Sequence, residues 1–304
     1  MRAGIENRTL AALAAILGYA VLIGFTDNFV QVIAREAGLW QFNFLRSCIA
    51  ALLFALVMAP LGLRLRPVNP AAVVARSVVH GGALLIYFGC LAFMTVAQAA
   101  AGLFTAPIWV LLIGRIVYGH ALGPVRVVSV VVGFVGVMLV LKPGSEQPLG
   151  WISFLPVVAG MLYALGNIAT REWCARESAA GLTLGFFLAL GFAGLVGLAV
   201  LAVFPQAPVA GADGFILRGW VAPSATFWFW TTVQAAGSML GVGLMVRAYQ
   251  LAEANRVSIF EYVILPVSAL WGWVLWGEVI TWGAALGIAL IFVAGAMIAA
   301  RAPN

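Results

Sequence analysis

The stretch AYQLAEANRVSIFEYVILPVSALWGWVLWGEVITWGAALGIALIFVAGAMIAAR, residues 248–301, decides the fold. It reads as two apolar helices joined at Gly277-Glu278-Val279-Ile280, and the same unit stands earlier, from about Gly89 to Lys142. Pro107 and Pro266, Gly136 and Gly295, Met138 and Met297, and Lys142 and Arg301 all keep one offset of 159 residues. Apolar helices of Ala, Val, Leu and Gly resemble one another by composition, so a single match carries nothing. One register held over about 35 residues marks an internal repeat.

Working outward, the composition puts that repeat in a membrane. The 304 residues are 64% hydrophobic and 9% charged, whereas soluble domains run at about a quarter charged. The formal net charge of +6 does not point to nucleic acid, because the arginines sit singly at helix ends and not in a patch. Cys48, Cys90 and Cys174 are an odd set in or beside apolar segments, which argues against a disulfide framework. The apolar run that begins at Leu10 continues to Ile33 without a clean small-residue cleavage site, so it reads as a span and not a signal peptide.

A span needs about 20 apolar residues. That ruler gives spans at 10–33, 40–61, 74–95, 97–117, 124–142, 151–171, 181–203, 223–247, 256–277 and 281–300, an all-α protein of ten transmembrane helices. The turn-rich linker 143–148 divides it into five-helix repeats over 1–145 and 146–304. With the N-terminus inside, twelve arginines lie at cytoplasmic ends; Arg35, Lys142 and Arg218 lie at outer ends, and Arg46 lies within a helix. That bias places both termini in the cytoplasm. An odd number of spans per repeat then inverts one repeat relative to the other, an arrangement that secondary transporters use to bind substrate near the midplane.

Charges within spans are costly and mark function by default. Asp27 and Arg46 lie equidistant from the turn at 34–39, at matching depth in an antiparallel hairpin. They read either as a structural ion pair or as substrate- or proton-linked groups. Glu261 is the acid deep in the second half, five residues before Pro266. It is a proton-coupling group or a carboxyl hydrogen-bonded to a neighbouring helix, with Arg256 and His80 as basic residues able to reach it. Polar side chains that water cannot satisfy should face the bundle or a wet cavity. These are His80 and Tyr87 on one face of span three, Tyr163 and Asn167 in span six, and Thr231, Gln234 and Ser238 in span eight. Gly81 and Gly82 beside His80 would admit a close neighbour. Pro107 and Pro266 each remove a donor and clash with the carbonyl four residues back, on Leu103 and Tyr262, so each should kink its helix. Trp109 and Trp271 follow the prolines and sit deeper than the belt tryptophans at span ends. Together His80, Tyr87, Trp109, Tyr163, Asn167, Gln234, Ser238 and Tyr262 form the expected substrate site. Neither a cofactor nor a metal is expected, and the partners are a small-molecule substrate and the lipid bilayer.

Ten spans in two inverted repeats resemble the drug/metabolite transporter superfamily, the ten-helix EamA-like exporter type. The resemblance rests on Gly24-Phe25-Thr26-Asp27-Asn28, Gln41 and Arg46 in the first half, and on Gly277-Glu278 at the end of span nine. The matching place in the first half reads Tyr118-Gly119-His120, without the acid. The chain also looks somewhat like the aromatic amino-acid exporter branch. The resemblance implies a central cavity lined by spans one, three, four, six, eight and nine, with five and ten outside, in a bacterial-type inner membrane. The function it implies is export of small amphipathic metabolites, amino acids first, by alternating access. The same fold as an importer or facilitator is the alternative. A membrane-embedded enzyme lacks support, since no Gly-x-Ser-x-Gly or His-Glu-x-x-His occurs and the only histidines are His80 and His120. A polytopic receptor would not require inverted repeats.

Overall fold

The computed structural model of the protein describes residues 8–90, 96–121, 123–141, 154–207, 214–277 and 281–299. Among these residues every regular element is helical. The first span is α1 (Thr9–Asp27) and α2 (Val30–Glu36), broken at Asn28-Phe29. Then follow α3 (Leu39–Met58), α4 (Pro70–Cys90), the split fourth span α5 (Val96–Leu103) and α6 (Ala106–Ile116), and α7 (Pro124–Leu141). The second half holds α8 (Leu155–Glu172), α9 (Ala179–Val203) and α10 (Ala225–Leu251). Its ninth span is α11 (Ala254–Phe260), a 3-10 turn at Glu261–Val263 and α12 (Ile264–Trp276), and α13 (Trp282–Ala299) closes the bundle. The linker 143–148, Lys142, Arg301, Glu278 and the loop residues Ser145 and Asp213 lie outside the described residues.

Six segments are long and apolar enough to cross a membrane outright: Thr9–Glu36, Leu39–Val57, Pro70–Cys90, Ala179–Val203, Ala225–Leu251 and Ala254–Leu275. The shorter apolar helices, among them Pro124–Val140 and Trp282–Met297, complete the bundle. The chain is a multi-pass membrane protein of ten helical segments. Sequence sets the helix ends: Ser178 and Ser224 cap α9 and α10 by accepting the backbone N–H groups of Gly181 and Phe227. Gly277 ends α12 in the left-handed conformation at φ 69°.

The repeat is visible in the packing. α1 packs on α10, and one repeat on, α8 packs on α4. α3 packs on α9, and α7 on α13. The partners run antiparallel: Arg8 N at the start of the first span donates to Leu251 O at the end of α10 (3.0 Å). The α7–α13 seam is a close backbone contact. A Cβ at Gly287 would stand 2.5 Å from the Gly136 carbonyl oxygen, and one at Gly136 would stand 2.7 Å from that of Gly287. Small residues here let two helices meet where lipid supplies no hydrophobic drive.

The two halves differ in one respect. α10 packs against α8 and α9, while among the described residues α4 makes no comparable contact with α1 and α3. A cavity occupies that gap. At the opposite end, where the first span starts, the bundle is tied shut. Arg126 and Arg256 both pair with Glu253 (2.5 and 3.4 Å), and Gln250 Nε2 donates to Glu177 O (2.8 Å). The Glu177 carboxylate accepts the N–H groups of Val68 and Asn69 (2.9 and 2.6 Å). If this tied end is cytoplasmic, a cysteine replacing Arg66 will react with a membrane-impermeant maleimide only in inverted vesicles. Labelling in intact cells would reverse the orientation.

Candidate functional site: a central cavity between the repeats

The cavity has a volume of about 800 Å³. One face of each surrounding helix builds it. On α4 this face is His80, Leu84, Tyr87 and Phe88; on α10 it is Gln234, Ser238, Val242 and Met245. In both cases the spacing is that of one helical stripe. Ala100, Leu103, Phe104 and Pro107 line it from the split fourth span, and Ser258, Glu261, Ile264, Leu265 and Ser268 from the ninth. It reaches from Tyr163 and Glu261 to Arg35 and Thr281, at the end away from Arg8.

The two broken spans meet here. α5 ends at Leu103 and α6 starts at Ala106, with Pro107 in its first turn, where a missing N–H costs nothing. In the ninth span the helix tightens to 3-10 geometry at Glu261–Val263, just before Pro266. The turn of backbone beside each proline is therefore irregular, and in the ninth span it carries Glu261 into the cavity floor.

Several expected site residues stand elsewhere. Trp109 does not line the cavity; its Nε1 donates to Thr105 Oγ1 (3.2 Å). Trp271 likewise turns away and donates to Val21 O (3.1 Å). Tyr262 is fully buried one step off the lining stripe, with its hydroxyl on Phe104 O (3.3 Å), and Pro266 is off that stripe too. Asn167 is one turn beyond Tyr163 on the same face, beneath the floor, where its Nδ2 donates to the Tyr249 hydroxyl (3.1 Å). The close approach at His80 is made by Gly166 and not by Gly81 or Gly82. A Cβ at Gly166 would lie 2.8 Å from the imidazole, whereas one at Gly82 would meet nothing.

Asp27 and Arg46 are brought together, but not as a direct pair. Arg46 is 3% exposed and Asp27 is exposed to the cavity. Gln234 stands between them: Arg46 Nη1 donates to Gln234 Oε1 (3.3 Å), and Gln234 Nε2 points to Asp27 Oδ1 (3.5 Å). Arg46 Nη2 donates to Asn43 Oδ1 (3.2 Å), and its guanidinium lies 5.1 and 5.4 Å from the Phe42 and Phe187 ring centres. Because Arg46 has no acceptor of its own, it fixes the Gln234 amide with its NH₂ toward Asp27. Matching depth in a hairpin gave the neighbourhood of the two charges and not the wedge from another span.

Glu261 has no basic partner within ion-pair distance among the described residues. Arg256 is engaged by Glu253 and Thr9, and His80 packs against the Tyr163 ring at 4.7 Å. The carboxylate instead accepts the hydroxyls of Tyr163 and Tyr249, each at 2.9 Å. Tyr19 of α1 and Tyr249 of α10 are absent from the sequence-based site, although Tyr19 is a lone hydroxyl in an apolar run.

Comparisons with known proteins agree with this geometry. Residues 10–142 match the EamA-like transporter family. Those residues make up the first of the two repeats. The chain is 28% identical to the riboflavin transporter of Rhizobium johnstonii, over 93% of this chain and 91% of that protein. It is 26% identical to the pseudopaline exporter of Pseudomonas aeruginosa, over 86% and 87%. A crystal structure of another protein shares the fold, with a TM-score of 0.74 at 18% identity and 95% of both chains covered. Over nearly its whole length the chain is thus similar to membrane transporters of small molecules. Neither relative is an aromatic amino-acid exporter, so that narrower branch does not carry over from them.

Proposed function

We propose that the protein is a secondary transporter that exports a small amphipathic, amine-bearing metabolite by alternating access through this cavity. The observation that carries the reading is Asp27, a carboxylate exposed to the cavity beside Gln234; most of the wall is aliphatic and aromatic, and Arg35, Arg46, His80 and Glu261 also stand on it. A carboxylate in such a place recognises a cationic amine, and Tyr87, Phe88, Phe104 and Phe186 offer ring surface to the rest of the solute. Ser238 and Tyr163 add hydrogen bonds. About 800 Å³ lies in the upper part of the range of about 300–1,000 Å³ typical of ligand pockets. It accommodates an aromatic amino acid or a bulkier metabolite. With the termini cytoplasmic, the conformation is outward-open. Export follows the pseudopaline exporter; uptake is the alternative.

The test is counterflow in proteoliposomes loaded with a panel of aromatic amino acids, their N-acetyl derivatives and riboflavin. Amine-bearing members should exchange and their N-acetyl counterparts should not. Exchange of the N-acetyl forms or of riboflavin alone would overturn the amine assignment.

A further inference from the structure

We infer that Glu261 is a proton-binding site that couples transport to the proton gradient, with Tyr163 as its switchable hydrogen-bond partner. The inference rests on the transport reading above and gives the cavity two carboxylates with separate tasks. Asp27 is open to the cavity and tied through Gln234 to the Arg46 charge. Glu261 is 4% exposed, lies at the cavity floor and meets only neutral hydroxyls.

The hydroxyls around Glu261 are not equivalent. Tyr249 accepts a hydrogen bond from Asn167 Nδ2, so its own proton is directed at Glu261 Oε2. It is a fixed donor. Tyr163 has one phenolic proton and alternative acceptors in reach: Glu261 Oε1 at 2.9 Å, Met245 Sδ at 3.1 Å and the Tyr19 hydroxyl of α1. When Glu261 is ionised, Tyr163 donates to it. When Glu261 takes up a proton from cavity water, Oε1–H donates to the Tyr163 oxygen, and the phenolic proton turns to Met245 or Tyr19. No bond is left unmade in either state and no heavy atom need move far. A buried carboxyl that only one protonation state could satisfy would be a fixed structural element; this one is furnished for both.

Every group that faces it fits the exchange. Tyr19 comes from α1, Tyr163 and Asn167 from α8, Met245 and Tyr249 from α10, and Ser258 from α11. Ser258 Oγ is buried, lines the cavity and has no protein partner. His80 lies behind the Tyr163 ring with Arg76 beyond it, Asp27 and Arg46 stand nearer the open end, and α12 and α13 contribute no titratable side chain. The 3-10 turn at Glu261–Val263 joins α11 to α12, so the protonation state of Glu261 acts on the hinge of the ninth span.

The test has two arms on the full-length protein in liposomes. In the first, pH-difference infrared spectra without any solute should contain a protonated-carboxyl C=O band that disappears in Glu261→Gln and persists in Asp27→Asn. Met245→Leu combined with Tyr19→Phe, which removes both alternative acceptors, should weaken proton binding about three- to tenfold. Tyr163→Phe should shift the band, and it keeps the test open if Glu261→Gln does not fold. In the second arm, a pH gradient should drive accumulation of an amine-bearing panel member in wild type and not in Glu261→Gln. Absence of a Glu261-dependent band, or accumulation indifferent to the gradient, would overturn the inference. If no panel solute moves, the amine reading fails while the infrared arm still decides whether Glu261 exchanges protons.

Discussion

Arg46→Leu should lower the stability of the detergent-solubilised protein by about 2–5 kcal/mol, read from denaturant unfolding. The guanidinium is buried at 3% exposure and satisfies two amide oxygens, Gln234 Oε1 and Asn43 Oδ1. Leucine replaces the stem of the side chain but leaves both acceptors without a donor. Each orphaned buried acceptor costs about 1–3 kcal/mol. The loss of the contacts with Phe42 and Phe187 adds to this. Adding Gln234→Leu to Arg46→Leu removes one orphan and should recover about 1–2 kcal/mol. Asp27→Asn should cost under about 1 kcal/mol, because its carboxylate keeps cavity water as a partner. Equal losses from Arg46→Leu and Asp27→Asn would mean that the two charges form a direct pair, against the Gln234 wedge.

The contrast shows where sequence reading reached and where it stopped. The ten segments were legible because apolar run length is imposed by the bilayer and needs no tertiary information. The repeat was legible because Pro107 and Pro266 hold one offset. Which polar residues face inward was partly legible, since His80, Tyr87, Gln234 and Ser238 share helical stripes that line the cavity. What the sequence could not yield was rotation about each helix axis beyond the stripe and depth relative to the cavity floor. Trp109 is outside the lining although Ala106, one turn before it, is part of it, and Asn167 lies below the floor although it shares a stripe with Tyr163. Partnerships were harder still. Gln234 lies 188 residues from Arg46, and Tyr163 lies 98 from Glu261. The first bond joins the two repeats, and the second joins spans six and nine of the same repeat.

Asp27→Asn should instead be felt in recognition. An amine-bearing panel member should bind about ten- to a hundredfold more weakly, as expected for losing a charge-assisted hydrogen bond of about 1.5–3 kcal/mol. Asparagine keeps the shape and retains an acceptor oxygen for Gln234 Nε2, so the wedge and its contact with Arg46 survive. Only the charge that faces the cavity is lost. The effect should therefore fall on solutes that carry the amine and spare those whose amine is acetylated, which gain nothing from Asp27 in wild type. Measured by solute-induced thermal stabilisation of the purified protein, the two dose–response curves should converge in the variant. Weakening of both solutes alike would assign Asp27 to the architecture of the cavity, and an unchanged preference for the amine would place its recognition on another group.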